Sequence, residues 1–197
     1  MRRAARGRGL LALVSAVLLS CAGGAHAFTL LNGREVFCEV EWLGVPHVVA
    51  EEYVGNGKVG ERHPELGGSA AVVRRQADGS PKIVFDTSIL ESIRLKLPVA
   101  RDFVFFHECA HIQRQTQDEI VANCHALAEA ARAGVLEDGM LPALGAFHRN
   151  MGRLPRKYGG SGARFWDRTL ECVADPESVA EDLQAFPGTL FDPPYAP

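Results

Sequence analysis

Residues 103–125 read Phe-Val-Phe-Phe-His-Glu-Cys-Ala-His-Ile-Gln-Arg-Gln-Thr-Gln-Asp-Glu-Ile-Val-Ala-Asn-Cys-His, and the rest of the chain is organised around them. Within this stretch His107-Glu108-Cys109-Ala110-His111 sets two histidines four residues apart. On a helix that spacing puts both imidazoles on one face, a turn apart, so both can reach one metal ion with Glu108 beside it. This is the residue pattern of a zinc hydrolase site.

The helix that carries the motif is expected over about 98–113. Val99, Phe103, Phe106 and Ala110 recur at spacings of three and four, and Val104 and Phe105 widen the apolar surface until the helix must be largely buried. Such burial holds ligand imidazoles rigid and keeps competing water away. Pro98 fits the first turn, where its missing N–H costs nothing.

A zinc ion in a hydrolase site commonly takes three protein ligands and leaves a fourth position to water. After His107 and His111, the candidates for the third ligand are Asp118, Glu119 and His125. On one continuous helix Asp118 would lie ~10 Å along the axis from His111, beyond a shared ion. The chain must therefore reverse, and the polar run at 114–117 is the place for it. A following helix starts near Thr116, where Thr116-Gln117-Asp118-Glu119 matches a capping box. It continues through Ile120, Val121, Cys124, Leu127, Ala128 and Ala131 to Gly134. Its first turn can then face the two histidines.

Glu119 is the preferred third ligand and Asp118 the reserve. Asn123, one turn beyond Glu119, is placed to orient His107 or His111 through its amide. The competing role for Glu119 is to close the capping box with Thr116, and it cannot fill both roles fully. His47 and His125 are read as structural, and His63 as a solvated loop residue.

His107-Glu108-x-x-His111 followed by Glu119-x-x-Ala122-Asn123-Cys124 resembles the gluzincin metallopeptidases, whose third zinc ligand is a glutamate in a Glu-x-x-x-Asp motif on a following helix. The resemblance covers mainly residues 98–134, with the strand expected at 82–86, which in such enzymes borders the cleft. It implies zinc at His107, His111 and Glu119, Glu108 as general base, and a peptide or protein substrate. Asn123 stands where the family has aspartate, and the gap from His111 to Glu119 is very short. In sites of this kind zinc acidifies a water and polarises the scissile carbonyl, while the general base moves the water's proton to the leaving amine. An oxyanion stabiliser is also expected, for which His148, Tyr158 and Arg164 are candidates by residue type.

Outward from the centre, 28–54 favours strands, with Glu35 to Leu43 alternating and 46–50 following a Gly44-Val45 turn. The glycine-rich stretch at 55–68 reads as a loop. Residues 70–75 and 81–86 form a hairpin about Asp78-Gly79. A short helix starts at Thr87 or Ser88 and runs to Leu95. Beyond the site helices, 140–151 is a helix bent near Pro142 and Gly145, and Ser161 caps a last helix over 163–173. The tail after Pro187 is expected to be extended or loosely ordered. The expected class is α+β, a short, mainly antiparallel sheet packed on a helical half, and the resemblance makes that half gluzincin-like.

The chain has 197 residues, enough for one domain. Residues 1–27 read as a secretory signal: Arg2, Arg3, Arg6 and Arg8, then an apolar run over 10–19, then Ala25-His26-Ala27 as a small-x-small cleavage site. The apolar run is too short to span a membrane. Leu18-Leu19-Ser20-Cys21 loosely resembles a lipobox, so lipidation at Cys21 is the alternative to cleavage after Ala27. Removing 1–27 leaves 17 basic against 24 acidic residues, a net charge of −7. That acidic balance, with no basic stripe, argues against a nucleic-acid partner.

Residues 28–197 keep Cys38, Cys109, Cys124 and Cys172, which in an exported chain permit two disulfides. The favoured pairing is Cys109 with Cys124, flanking the site on neighbouring helices, and Cys38 with Cys172. The expected function is thus that of an exported zinc-dependent peptidase. A noncatalytic metal-binding relative and a disulfide-stabilised interaction domain are the rivals.

Overall fold

Asp86 ends the strand half of the molecule and starts the helical half. It is the last residue of the central strand and the N-cap of the first helix, accepting through Oδ1 from the backbone N–H of Ser88 at 3.0 Å and Ile89 at 3.2 Å. Its Oδ2 accepts from the N–H of His63 at 2.8 Å, which ties the glycine-rich loop to the same point. The side chain is fully buried, and its polar bonds are what make that burial tolerable. The helix begins at Thr87, one of the two expected starts, with Asp86 as its cap.

The computed structural model describes residues 27–55, 57–136 and 139–174. Seven strands come first: β1 (Phe28–Thr29), β2 (Glu35–Val36), β3 (Glu39–Trp42), β4 (Val45–Val48), β5 (Ala50–Val54), β6 (Ala71–Arg75) and β7 (Pro81–Asp86). Five helices follow: α1 (Thr87–Lys96), α2 (Pro98–Gln113), α3 (Glu119–Arg132), α4 (Met140–Arg149) and α5 (Gly162–Ala174). The mixed α+β class is as expected. Most of the signal-like segment, including Cys21, and the tail after Pro187 lie outside the described residues.

The strands do not form one antiparallel sheet. β1 pairs with β2, β3 with β4, and a separate three-stranded sheet has the order β5-β7-β6. The hairpin β6–β7 is antiparallel as expected, but β5 runs parallel to β7 because the chain crosses over through the 55–70 loop before returning. The alternating run at 35–43 is cut in two at Phe37-Cys38, where the buried Cys38 turns inward to a disulfide. The β3–β4 turn falls on Leu43-Gly44, one residue earlier than expected, with φ of 53° and 79°. Positive φ at both turn residues is what a tight hairpin requires.

The pairs are Cys38–Cys109 and Cys124–Cys172, which corrects the favoured connectivity. The reason is helical phase. Cys109 follows His107 by two residues, about 200° around the helix, so when His107 faces α3 the thiol faces the strands. Cys124 in turn faces α5. One bridge fastens α2 to the strand half and the other fastens α3 to α5. Two disulfides point to an oxidising, exported compartment. No helix among the described residues is long and apolar enough to cross a membrane.

The main core joins both halves, with Ile83 and Phe85 of β7 packed among Phe103, Phe105, Phe106 and Ala110 of α2 and Ala122, Ala126 and Ala130 of α3. α4 is one helix, since Pro142 sits in its first turn. Gly145 is needed there for contact: a Cβ at this position would stand 2.6 Å from Trp166 Nε1 on α5. Ser161 Oγ accepts from Arg164 N at 3.2 Å at the start of α5, the expected cap.

Candidate metal centre

α2 ends at Gln113, and the reversal at 114–117 takes place through Gln115, which holds φ at +48°. One left-handed residue redirects the chain, and the N–H of Thr116 closes the turn onto His111 O at 3.1 Å. Thr116 Oγ1 accepts from Asp118 N, and Asp118 Oδ1 accepts from Ile120 N at 2.7 Å and Val121 N at 3.1 Å. Asp118 is therefore the N-cap of α3, in place of the Thr116–Glu119 capping box. This resolves the competition over Glu119, whose side chain is released from capping, and it occupies the reserve ligand Asp118 with the helix end.

His107, His111 and Glu119 come together. Their ligand atoms all lie within 4.8 Å of one another, and the group could hold a metal ion. His107 Nε2 is 3.1 Å from His111 Nε2, while Glu119 Oε2 is 3.0 Å from the first and 3.4 Å from the second. Glu119 is buried and the two imidazoles half-buried.

The other ring nitrogens decide what these atoms are. His111 Nδ1 lies 2.8 Å from Thr116 O, a carbonyl that can only accept, so Nδ1 carries a proton and the neutral ring has its lone pair on Nε2. His107 Nδ1 lies 3.1 Å from Asn123 Oδ1. The amide of Asn123 is oriented from behind, because Thr169 Oγ1 donates to Phe165 O at 2.9 Å and so must accept from Asn123 Nδ2 at 3.0 Å. His107 Nδ1 therefore also donates. With both rings neutral, two imidazole lone pairs and a carboxylate oxygen converge on one point, an arrangement that a shared cation, a proton or a metal ion, makes favourable. A nitrogen-nitrogen-oxygen set of this kind suits divalent first-row ions.

The electrostatics agree with that demand for positive charge. Burial acts to raise the Glu119 pKa, but the hydrogen bonds and charge of His107 and His111 outweigh it and hold the carboxyl far below its usual range. Burial acts to lower His111, and the bond to Glu119 with the charge of Glu108 overcomes it and raises it. Glu108, adjacent on α2, is pushed up by burial against the opposing pull of His107 and His111.

Lys157, which residue type and spacing did not flag, completes the surroundings. Its Nζ donates to Glu119 Oε1 at 2.5 Å from the 3-10 turn at Arg156–Tyr158. The two oxygens of Glu119 are thereby divided, Oε2 toward the imidazoles and Oε1 toward the ammonium. Its neighbour Tyr158 was a candidate by type, which was the only available signal for this turn.

Of the three oxyanion candidates, Tyr158 is the one beside the centre. Its half-buried phenol is raised by burial and then by the negative charge of Glu119, with Glu108 also contributing. His148 is buried between Phe103, Phe147, Phe165 and Trp166 with Nδ1 on Leu144 O, a packing residue. Arg164 is exposed on α5. His125 lies outside the cluster, with Arg114 and Gln113 as partners.

No protein-family model, curated protein or solved structure matches this chain. The functional reading therefore rests on the site's own geometry.

Proposed function

We propose that the protein is an exported zinc-dependent hydrolase acting on peptide bonds, with His107, His111 and Glu119 as the metal ligands and Glu108 as general base. The observation that carries the reading is the convergence of two imidazole lone pairs and one carboxylate oxygen within 4.8 Å, with Glu108 on the adjoining helical position. Bound zinc would supply an acidified water and a polarised carbonyl.

The chain's own residues do the rest. Asn123 and the Thr116 carbonyl keep the Nδ1 protons of His107 and His111 in place, so Nε2 of each is available without a tautomer change. Glu108, raised by burial above the ordinary carboxyl range, is suited to take a proton from water and return it to a leaving amine. Tyr158, whose ring lies under the Lys157 ammonium that bonds Glu119, is the candidate donor for developing negative charge.

A noncatalytic metal-binding role is the second reading. It is favoured by the Lys157 ammonium on Glu119, which offsets the negative charge of the one anionic ligand. The two are separated by Glu108→Gln in the mature protein. Unchanged zinc content with loss of cleavage across a broad peptide library supports the hydrolase. Equal background cleavage by wild type and variant removes it.

A further inference from the structure

Glu51 in β5 carries a carboxylate that the fold does not satisfy. The residue is 8% exposed, its Oε2 accepts from Tyr53 Oη at 2.5 Å, and its Oε1 has no hydrogen-bond partner among the described residues. A half-satisfied buried carboxylate is costly unless something else answers its charge. Arg101 is near and its charge acts on the carboxyl, but its Nη1 is engaged by Thr29 O at 2.6 Å and Asp102 Oδ1 at 2.7 Å, and none of its nitrogens bonds Oε1.

The group next to this carboxylate is the backbone nitrogen of Phe28. Burial dominates and raises the carboxyl to about 7, against the opposing pull of the Tyr53 hydroxyl, then the Phe28 N–H and the Arg101 charge. A single amide N–H in the β1–β2 ladder, where Phe28 pairs with Val36, leaves Oε1 unanswered. The side chain of Phe28 fixes this nitrogen in position. Its ring is wholly buried, stacked on Phe105 at 4.7 Å, 5.5 Å from Phe85, and covered by Arg101 at 4.1 Å.

Phe28 is also the residue that follows Ala25-His26-Ala27, the small-x-small site. We propose that the Ala27–Phe28 bond is a maturation site and that the α-ammonium of Phe28 it releases is bound by Glu51 in a buried ion pair. A separate processing peptidase supplies the step. Water cleaves the C–N bond, its oxygen joins the Ala27 carbonyl carbon as a carboxylate, and the nitrogen stays with Phe28 and becomes protonated. One N–H becomes three, enough for the ladder and for Oε1, and the new positive charge answers the buried negative one. Because Phe28 is buried in the folded protein, cleavage precedes the docking of β1. The pair then sits behind Phe105, two residues before His107, so the mature amino terminus braces the metal-binding helix.

The inference depends on removal of residues 1–27 and not on the metal site, and its test reads no activity. The full chain is expressed with its leader in an exporting host, and the mature amino terminus is determined by intact mass and sequencing. It is expected to begin at Phe28; a start at any other residue, or lipidation at Cys21, overturns the proposal. Mature protein starting at Phe28 is then compared with protein retaining Ala27 and with protein acetylated at Phe28, each with Glu51 and with Glu51→Gln. The free Phe28 amine is expected to lower the unfolding equilibrium constant about tenfold or more relative to either blocked form, and Glu51→Gln to abolish the difference. Equal stability of free and blocked forms, or a difference that persists in Glu51→Gln, overturns it. The comparison of free and blocked termini needs no substitution, so a poorly folding Glu51 variant does not leave it undecided.

Discussion

Asn123 Oδ1 lies 3.1 Å from His107 Nδ1, and this contact decides which nitrogen of His107 faces Glu119. The relay behind it, Asn123 Nδ2 to Thr169 Oγ1 to Phe165 O, runs from α3 into α5 and is fully buried. Asn123→Ala is expected to lower zinc affinity by about 10–100-fold, measured by competition with a chromophoric chelator. Thr169→Val removes only the support of the amide and should cost less than Asn123→Ala. Equal affinity in wild type and Asn123→Ala would contradict this role.

Gln115 reverses the chain with a φ that disfavours side chains branched at Cβ. Gln115→Val should destabilise the protein by about 1–2 kcal/mol, read from the denaturant midpoint, while Gln115→Gly should leave stability and metal affinity near wild type. If Val and Gly behave alike, the turn is not held by this residue.

The disulfides close loops with sequence separations of 71 and 48 residues. In the chain-entropy account each contributes about 4 kcal/mol. Peptide mapping without reduction should recover Cys38 linked to Cys109 and Cys124 linked to Cys172. The Cys124→Ser, Cys172→Ser double variant should lose stability of that order while keeping its secondary structure at low temperature.

His148 is buried neutral, with burial holding its pKa down at about 4 against an ordinary 6.5. The unfolded chain binds this proton first as pH falls, so the stability linked to His148 is complete above pH 6.5 and is lost progressively toward pH 4. The loss amounts to about 3 kcal/mol. His148→Gln should flatten the stability profile over that interval, as measured by urea unfolding at several pH values. A parallel profile would show that His148 is not the group responsible.

Local residue patterns made the helical half legible. The i,i+4 histidines, the apolar period of α2 and the polar break after it led to the bounds of α2 and to Glu119 as the third member of the cluster. The features not legible depend on contacts between distant segments. Asp118 rather than Thr116 caps α3, a choice between two good caps two residues apart that the turn at Gln115 decides. Cys109 and Cys124 look adjacent in a helix pair, yet their helical phases point them to opposite sides. Lys157 reaches Glu119 across 38 residues from a short turn whose sequence carries no periodicity. Alternation at 35–43 reads as one continuous strand because it does not reveal that the disulfide at Cys38 interrupts it.

If Glu119, not Asp118, completes a metal centre with His107 and His111, the metal content of purified mature variants should follow residue 119 and not residue 118. Wild type and Asp118→Ala should each carry about one zinc per chain, with Asp118→Ala losing only the ~1 kcal/mol of a helix cap. Glu119→Ala should lose the metal. Zinc retained in Glu119→Ala, or absent from wild type, would rule out this ligand set.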